Sequence, residues 1–98
     1  MHKLQFMTEK EEILLRFGIN FRKIRKGLGL SQDQVVANSE RLVKSTVSDT
    51  ENGKRNIELT TLFDLAKGVG KTPKELLEYD YNLKVSSDNL TKDTDWCL

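Results

Sequence analysis

The segment Leu30–Asn56, LSQDQVVANSERLVKSTVSDTENGKRN, restricts the fold of this chain more than any other. Ser31-Gln32-Asp33-Gln34 carries the serine and, three residues later, the glutamine of a capping box, and Leu30 and Val35 are spaced as a hydrophobic staple. The segment reads as two short helices joined by a tight turn. The first is expected from Gln32 to about Asn38. The second is expected from about Lys44 to Asn52, ending at Gly53, with Val47 and Thr50 facing inward. Lys44, Ser45 and Thr46 open this second helix, and small polar or basic side chains in that place can reach DNA base edges and phosphates.

The flanking sequence continues the helical pattern. Thr8-Glu9-Lys10-Glu11 is another capping box, and Ile13, Leu14, Phe17, Phe21, Ile24 and Leu28 recur at steps of three and four. They mark the core face of a helix from about Glu9 to Leu28, with Gly29 placed to end it in a left-handed conformation. Gly18 and Gly27 weaken this helix on propensity. A fourth helix is expected from about Glu58 to Lys67, with Leu59, Leu62, Phe63, Leu65 and Ala66 apolar. Thr72-Pro73-Lys74-Glu75 opens a fifth, since it supplies a cap, a proline at the first position and a glutamate at the third. Leu76, Leu77 and Tyr79 follow. The expected fold class is all-α: an N-terminal arm (1–8), a five-helix domain (9–79) and a polar, acidic C-terminal tail (80–98). Within the tail Tyr81, Leu83 and Val85 alternate as in a short edge strand, and disorder suits the same residues equally.

Composition narrows the function. The chain has 98 residues, enough for one small domain, with 32% charged and 37% hydrophobic residues, as in soluble globular proteins. No apolar run approaches the roughly 20 residues a bilayer span needs, and charge comes too early in MHKLQFMTEKEE for a signal peptide, so a cytoplasmic protein is expected. Cys97 is the only cysteine and His2 the only histidine, which excludes an intrachain disulfide and leaves no Cys/His zinc site without other ligands. No Ser–His or Cys–His constellation, no paired carboxylates and no phosphate-binding glycine loop are visible, so no enzyme, cofactor or small-molecule substrate is expected. The net charge is only +1, but it is unevenly spread: residues 19–57 hold eight basic and four acidic groups, while 80–98 hold two basic and four acidic. The positive charge lies on the two-helix motif, where a nucleic-acid partner would need it.

Four elements in order, FRKIRKGLGLSQ (Phe21–Gln32), ENGKRN (Glu51–Asn56), LTTLFDLAKGVG (Leu59–Gly70) and TPKELL (Thr72–Leu77), resemble the Cro/phage-repressor (XRE-like) type of helix-turn-helix. The resemblance implies a lambda-repressor-like domain that regulates transcription by binding double-stranded DNA as a homodimer on a near-palindromic operator. It departs from the pattern in the link around Asn38–Val43, which is one residue longer than usual. Ser39-Glu40-Arg41 stands where the family often has glycine, and Val36 stands where it usually has alanine. Anchoring on Glu51-Asn52-Gly53 sets the register of the recognition helix.

In that register Lys44, Ser45 and Asp49 are the candidates for base contact. Lysine can donate to guanine O6 and N7, and aspartate can accept from cytosine N4. Thr46 and Ser48 suit phosphate oxygens or waters. The resemblance places Gln32 on a backbone phosphate and implies that Asn52, Lys54 and Arg55 grip phosphate beyond the recognition helix, with Arg41 adding from the turn. It also implies a structural ion pair between Arg25 and Glu51. Arg22, Lys23 and Lys26 are read as a solvated face. Asp49 repels phosphate, so it is either a specificity residue or a sign that this helix does not read DNA. With the acidic tail and low net charge, it supports an alternative reading in which the fold is a protein-interaction module.

Overall fold

Short helices need help to start, and three of the helices in the computed structural model, which describes residues 7–79, begin at a capping box. Helix α1 (Glu9–Gly27) is opened by Thr8, whose hydroxyl accepts from the Glu11 N–H at 3.1 Å while Glu11 accepts from the Thr8 N–H at 2.9 Å. Helix α2 (Gln32–Asn38) repeats the arrangement with Ser31 and Gln34 at 3.0 and 2.7 Å. Helix α3 (Lys44–Glu51) and helix α4 (Leu59–Val69) follow, and helix α5 (Pro73–Leu76) is opened by Thr72 and Glu75. Each such box satisfies two of the backbone groups that a helix end leaves without partners. Gly29, with φ of 73°, follows the end of α1. The expected bounds of α2 match, those of α1, α3 and α4 differ by one or two residues, and α4 extends to Val69 before Gly70 closes it in the left-handed region.

The chain is all-α: the described residues contain no strand, and none of their helices is long and apolar enough to cross a membrane. The expected strand at Tyr81–Val85 lies outside them. Phe17, Phe21, Val35, Leu42, Val47, Leu65, Ala66, Val69 and Leu76 form the buried core. Phe17 and Phe21 stack within it, with ring centroids 6.5 Å apart.

The expected core face of α1 is only partly realised, because Ile13 and Leu28 at its ends are exposed. The reason is length. The 19 residues of α1 span about 28 Å at the usual rise, more than the 7 to 11 residues of α2, α3 and α4 can cover. Leu76 is fully buried, whereas Leu77 is exposed. Asn20 fastens the last turn by donating to the Leu76 carbonyl at 3.2 Å, and Asn38 ties α2 to α4 by donating to the Gly68 carbonyl at 3.0 Å.

Gly18 lies where α1 crosses α3. A Cβ there would fall on the Thr50 carbonyl oxygen and within 2.9 Å of the Glu51 carbonyl oxygen. A residue that weakens the helix on propensity is thus what lets the α1 and α3 backbones touch. Gly53, just after α3, has φ of 70°, and a Cβ would approach the Leu15 Cα to 2.9 Å, so both its conformation and its surroundings require glycine.

The crossing yields a paired prediction. Propensity alone makes Gly→Ala in a helix stabilising by up to about 1 kcal/mol. Gly27→Ala, with nothing within 4 Å of the new Cβ, is expected to follow that rule. Gly18→Ala is expected to reverse it and destabilise by about 1–3 kcal/mol. Urea denaturation of both variants checks this.

Candidate nucleic-acid interface

Helix α3 divides into two strips. Val47, Thr50 and Glu51 are buried, while Lys44, Ser45 and Asn52 just beyond the helix are exposed and Thr46, Ser48 and Asp49 are half-buried. The inward strip sets which residues face out. Its N-cap is Val43 (φ −120°, ψ 161°), which makes no side-chain cap hydrogen bond, unlike the caps of α1, α2 and α5. The positive end of the helix dipole, beside Lys44, therefore lacks a side-chain oxygen of its own.

The link from α2 to α3 has a local solution for its extra residue. Ser39 is buried, donates from Oγ to the Val36 carbonyl at 3.0 Å and accepts from the Leu42 N–H at 3.2 Å. Leu42 drops into the core. No described non-glycine residue has a positive φ, so the longer link rounds the corner without the left-handed residue for which a tight turn uses glycine. Val36 is partly buried against the core at the position where the resemblance has alanine. Two ion pairs fasten this link to α4: Arg41 with Asp64 at 2.8 Å and Glu40 with Lys67 at 3.1 Å. The hydrogen bond to Asp64 also raises the Arg41 pKa.

The far end of α3 is held by a buried ion pair. Arg25 Nε donates to Glu51 Oε2 at 2.6 Å and Nη2 donates to Oε1 at 3.0 Å, a two-pronged geometry between side chains only 9% and 3% exposed. Arg25 Nη1 also donates to the Leu30 carbonyl at 2.8 Å, and Gln32 Nε2 donates to Glu51 Oε1 at 3.0 Å. One carboxylate thus receives groups from α1 and α2 while belonging to α3. The hydrogen bonds with Glu51 raise the Arg25 pKa further, against the opposing effect of burial.

Several residues expected at DNA have protein partners here. Gln32 is on Glu51 and Arg41 on Asp64, as above. Lys44 Nζ lies 3.4 Å from Asp33, Asp49 lies 3.4 Å from Arg55, and Asn52 donates to the Ser48 carbonyl at 3.0 Å. Lys54 and Ser45 are exposed. Of these, the exposed ion pairs Lys44–Asp33 and Arg55–Asp49 contribute little. Lys44, Ser45, Ser48, Asp49, Asn52, Lys54 and Arg55 come together on and just after one helix, while Gln32 and Arg41 lie on the adjoining helix start and turn. Arg22, Lys23 and Lys26 are exposed. Sequence reasoning missed Glu40, Asp64 and Lys67 as the fastenings of the turn. The longer link was the one available cue, and it does not say which helix lies beside it.

Removing Glu51 leaves the buried guanidinium without its counter-charge. Glu51→Ala is expected to cost about 3–5 kcal/mol and lower the melting temperature, as read by circular dichroism. An unchanged melting temperature would show that the pair is not holding α3.

Comparison with known proteins extends these observations. A family model described as helix-turn-helix matches residues 21–76. The control protein C.MunI of Mycoplasma sp. is 39% identical over 66 residues, covering 66% of this chain and 88% of that protein. The control protein C.BamHI of Bacillus amyloliquefaciens is 33% identical over 67 residues, covering 68% of this chain and 83% of that one. Among solved structures, the restriction-modification controller protein C.AhdI from Aeromonas hydrophila aligns with a TM-score of 0.62 at 35% identity, covering 66% of this chain and 97% of that chain.

Proposed function

The chain belongs to the helix-turn-helix family, and from that premise we propose that it is a sequence-specific DNA-binding regulator of transcription, of the restriction–modification controller kind, acting in the cytoplasm as a homodimer. The observation that carries this reading is the division of α3, with Val47, Thr50 and Glu51 buried and Lys44 and Ser45 exposed at an end without a side-chain cap. The likeness to two control proteins and a controller structure supports the biological role.

In this reading α3 enters the major groove N-terminus first. Lys44 and Ser45 meet base edges there, and Asp49 accepts from a cytosine amino group one turn further on. Thr46 and Ser48 serve phosphate oxygens or waters. Gln32 and Arg41 on one side, and Asn52, Lys54 and Arg55 on the other, hold the backbone and supply affinity rather than sequence information. The regulator blocks or recruits polymerase at its operator.

A homodimer on a near-palindrome sets its recognition helices about 34–36 Å apart, one turn of DNA. Leu59 and Phe63, one turn apart on α4 and 71% and 54% exposed, are apolar surface that a second copy would cover. A Leu59→Asp/Phe63→Asp variant is expected to sediment as a monomer and lose at least tenfold in operator affinity while keeping its helical content. A variant that stays dimeric would place the interface elsewhere.

Selection from a randomised duplex library at physiological salt tests the main reading. An enriched near-palindrome is expected for the native chain, and Lys44→Ala/Ser45→Ala is expected to lose the enrichment. No enrichment from a folded native protein would turn the assignment to a protein-interaction module.

A further inference from the structure

Asp49 and Arg55 are an odd pair for a DNA-facing surface, because a carboxylate there neutralises one of the cations that phosphate contact requires. They meet at 3.4 Å, Asp49 Oδ2 to Arg55 Nη2, with side chains 41% and 40% exposed. A contact of that length is a weak hydrogen bond. Arg55 Nε is buried and has no hydrogen-bond partner. The guanidinium grips a phosphate through paired N–H groups, either Nε with Nη2 or the two terminal nitrogens. Asp49 holds one of the two N–H groups on Nη2 and sets its charge beside the guanidinium, and the first fork also needs the buried Nε. Arg55 therefore has to turn away from Asp49 before it can offer phosphate the Nε–Nη2 fork and an uncompensated charge.

Resting on the reading of α3 as a recognition helix, we propose that Asp49 and Arg55 are a partner-exchange pair that makes one phosphate contact conditional on the base sequence. At a cognate site Asp49 accepts from the cytosine N4 amino group, and Arg55, released, turns onto phosphate with Nε and Nη2 both satisfied. Where thymine O4 or guanine O6 faces Asp49, the carboxylate meets an acceptor. It keeps Arg55, and that phosphate contact is not made. On random DNA the pair stays closed, and its zero net charge adds nothing to non-specific affinity. Discrimination by Asp49 then exceeds the worth of its own hydrogen bond, since each correct base also recruits a cation to the backbone.

The test is a double-mutant cycle read by fluorescence anisotropy on two labelled duplexes, one from the selection and one of random sequence, over about 50–200 mM salt. In an otherwise native chain Asp49→Ala is expected to tighten binding to random DNA. It should steepen the salt slope there by about 0.9, the signature of one more phosphate contact, and lower the selected-to-random ratio by about tenfold or more. In an Arg55→Gln background the same Asp49→Ala change is expected to leave the random-DNA slope unaltered. A slope change of equal size in both backgrounds would mean that Asp49 acts by repulsion alone, and no change in either would mean that the pair is idle. Both results overturn the exchange while leaving sequence-specific binding standing. Equal affinity of the folded native protein for the two duplexes, or none for either, overturns the exchange and the recognition-helix reading together. Circular dichroism confirms folding of each variant.

Discussion

The arrangement of this domain depends on the Arg25–Glu51 pair. A helix of eight residues cannot hold its own shape in water, and α3 (Lys44–Glu51) has neither an N-terminal side-chain cap nor a long apolar face. Its direction is set at the other end. Glu51, drawn inward by the two-pronged guanidinium, fixes how far α3 is rotated about its axis, and Val47 and Thr50 in the core agree with that rotation. Burying two charges brings little net stability, because desolvation offsets most of their attraction. What the pair provides is orientation, for an unpaired charge in that place is costly. The same carboxylate accepts from Gln32, and the same arginine donates to the Leu30 carbonyl, so the start of α2 is registered against the end of α3.

Close approach completes what the ion pair begins. With no side chain at Gly18, α1 rests directly on the Thr50 and Glu51 carbonyls, which brings Arg25 on the same helix within reach of Glu51. The turn between α2 and α3 uses a different device. An extra residue, a buried serine hydroxyl and two ion pairs to α4 do the work of a glycine corner. The surface pairs are weak one by one, but they join the turn to a helix whose own inner face is anchored by Leu65, Ala66 and Val69.

Much of the fold was legible in the residues. The capping boxes at Thr8, Ser31 and Thr72 read correctly because their hydrogen bonds are local and need no tertiary partner. Val47 and Thr50 were readable as inward because the glycine after α3 fixes the helical phase. The overhang of Ile13 and Leu28 was not readable, since helical spacing reports a face and not how much of it the neighbours cover. Gly18 was legible only as a weakness for a similar reason: propensity describes an isolated helix, whereas the role of Gly18 is defined by what crosses it. Of the candidate contact residues, the exposure of Lys44, Ser45 and Lys54 followed from helical phase and chain position. The partners of Gln32, Arg41 and Asp49 did not.

By itself, then, the sequence determined to within one or two residues where the helices begin and end, that Val47 and Thr50 of α3 face inward, and the concentration of positive charge in residues 19–57. All of these follow from hydrogen bonds, periodicity and charge within a few residues. Only the tertiary structure decided that Gly18 is a crossing point, that Arg41 belongs to Asp64, and that Asp49 and Arg55 hold one another. Each depends on how close separate turns or helices come in space, a distance set by packing across the whole core and not by local spacing along the chain.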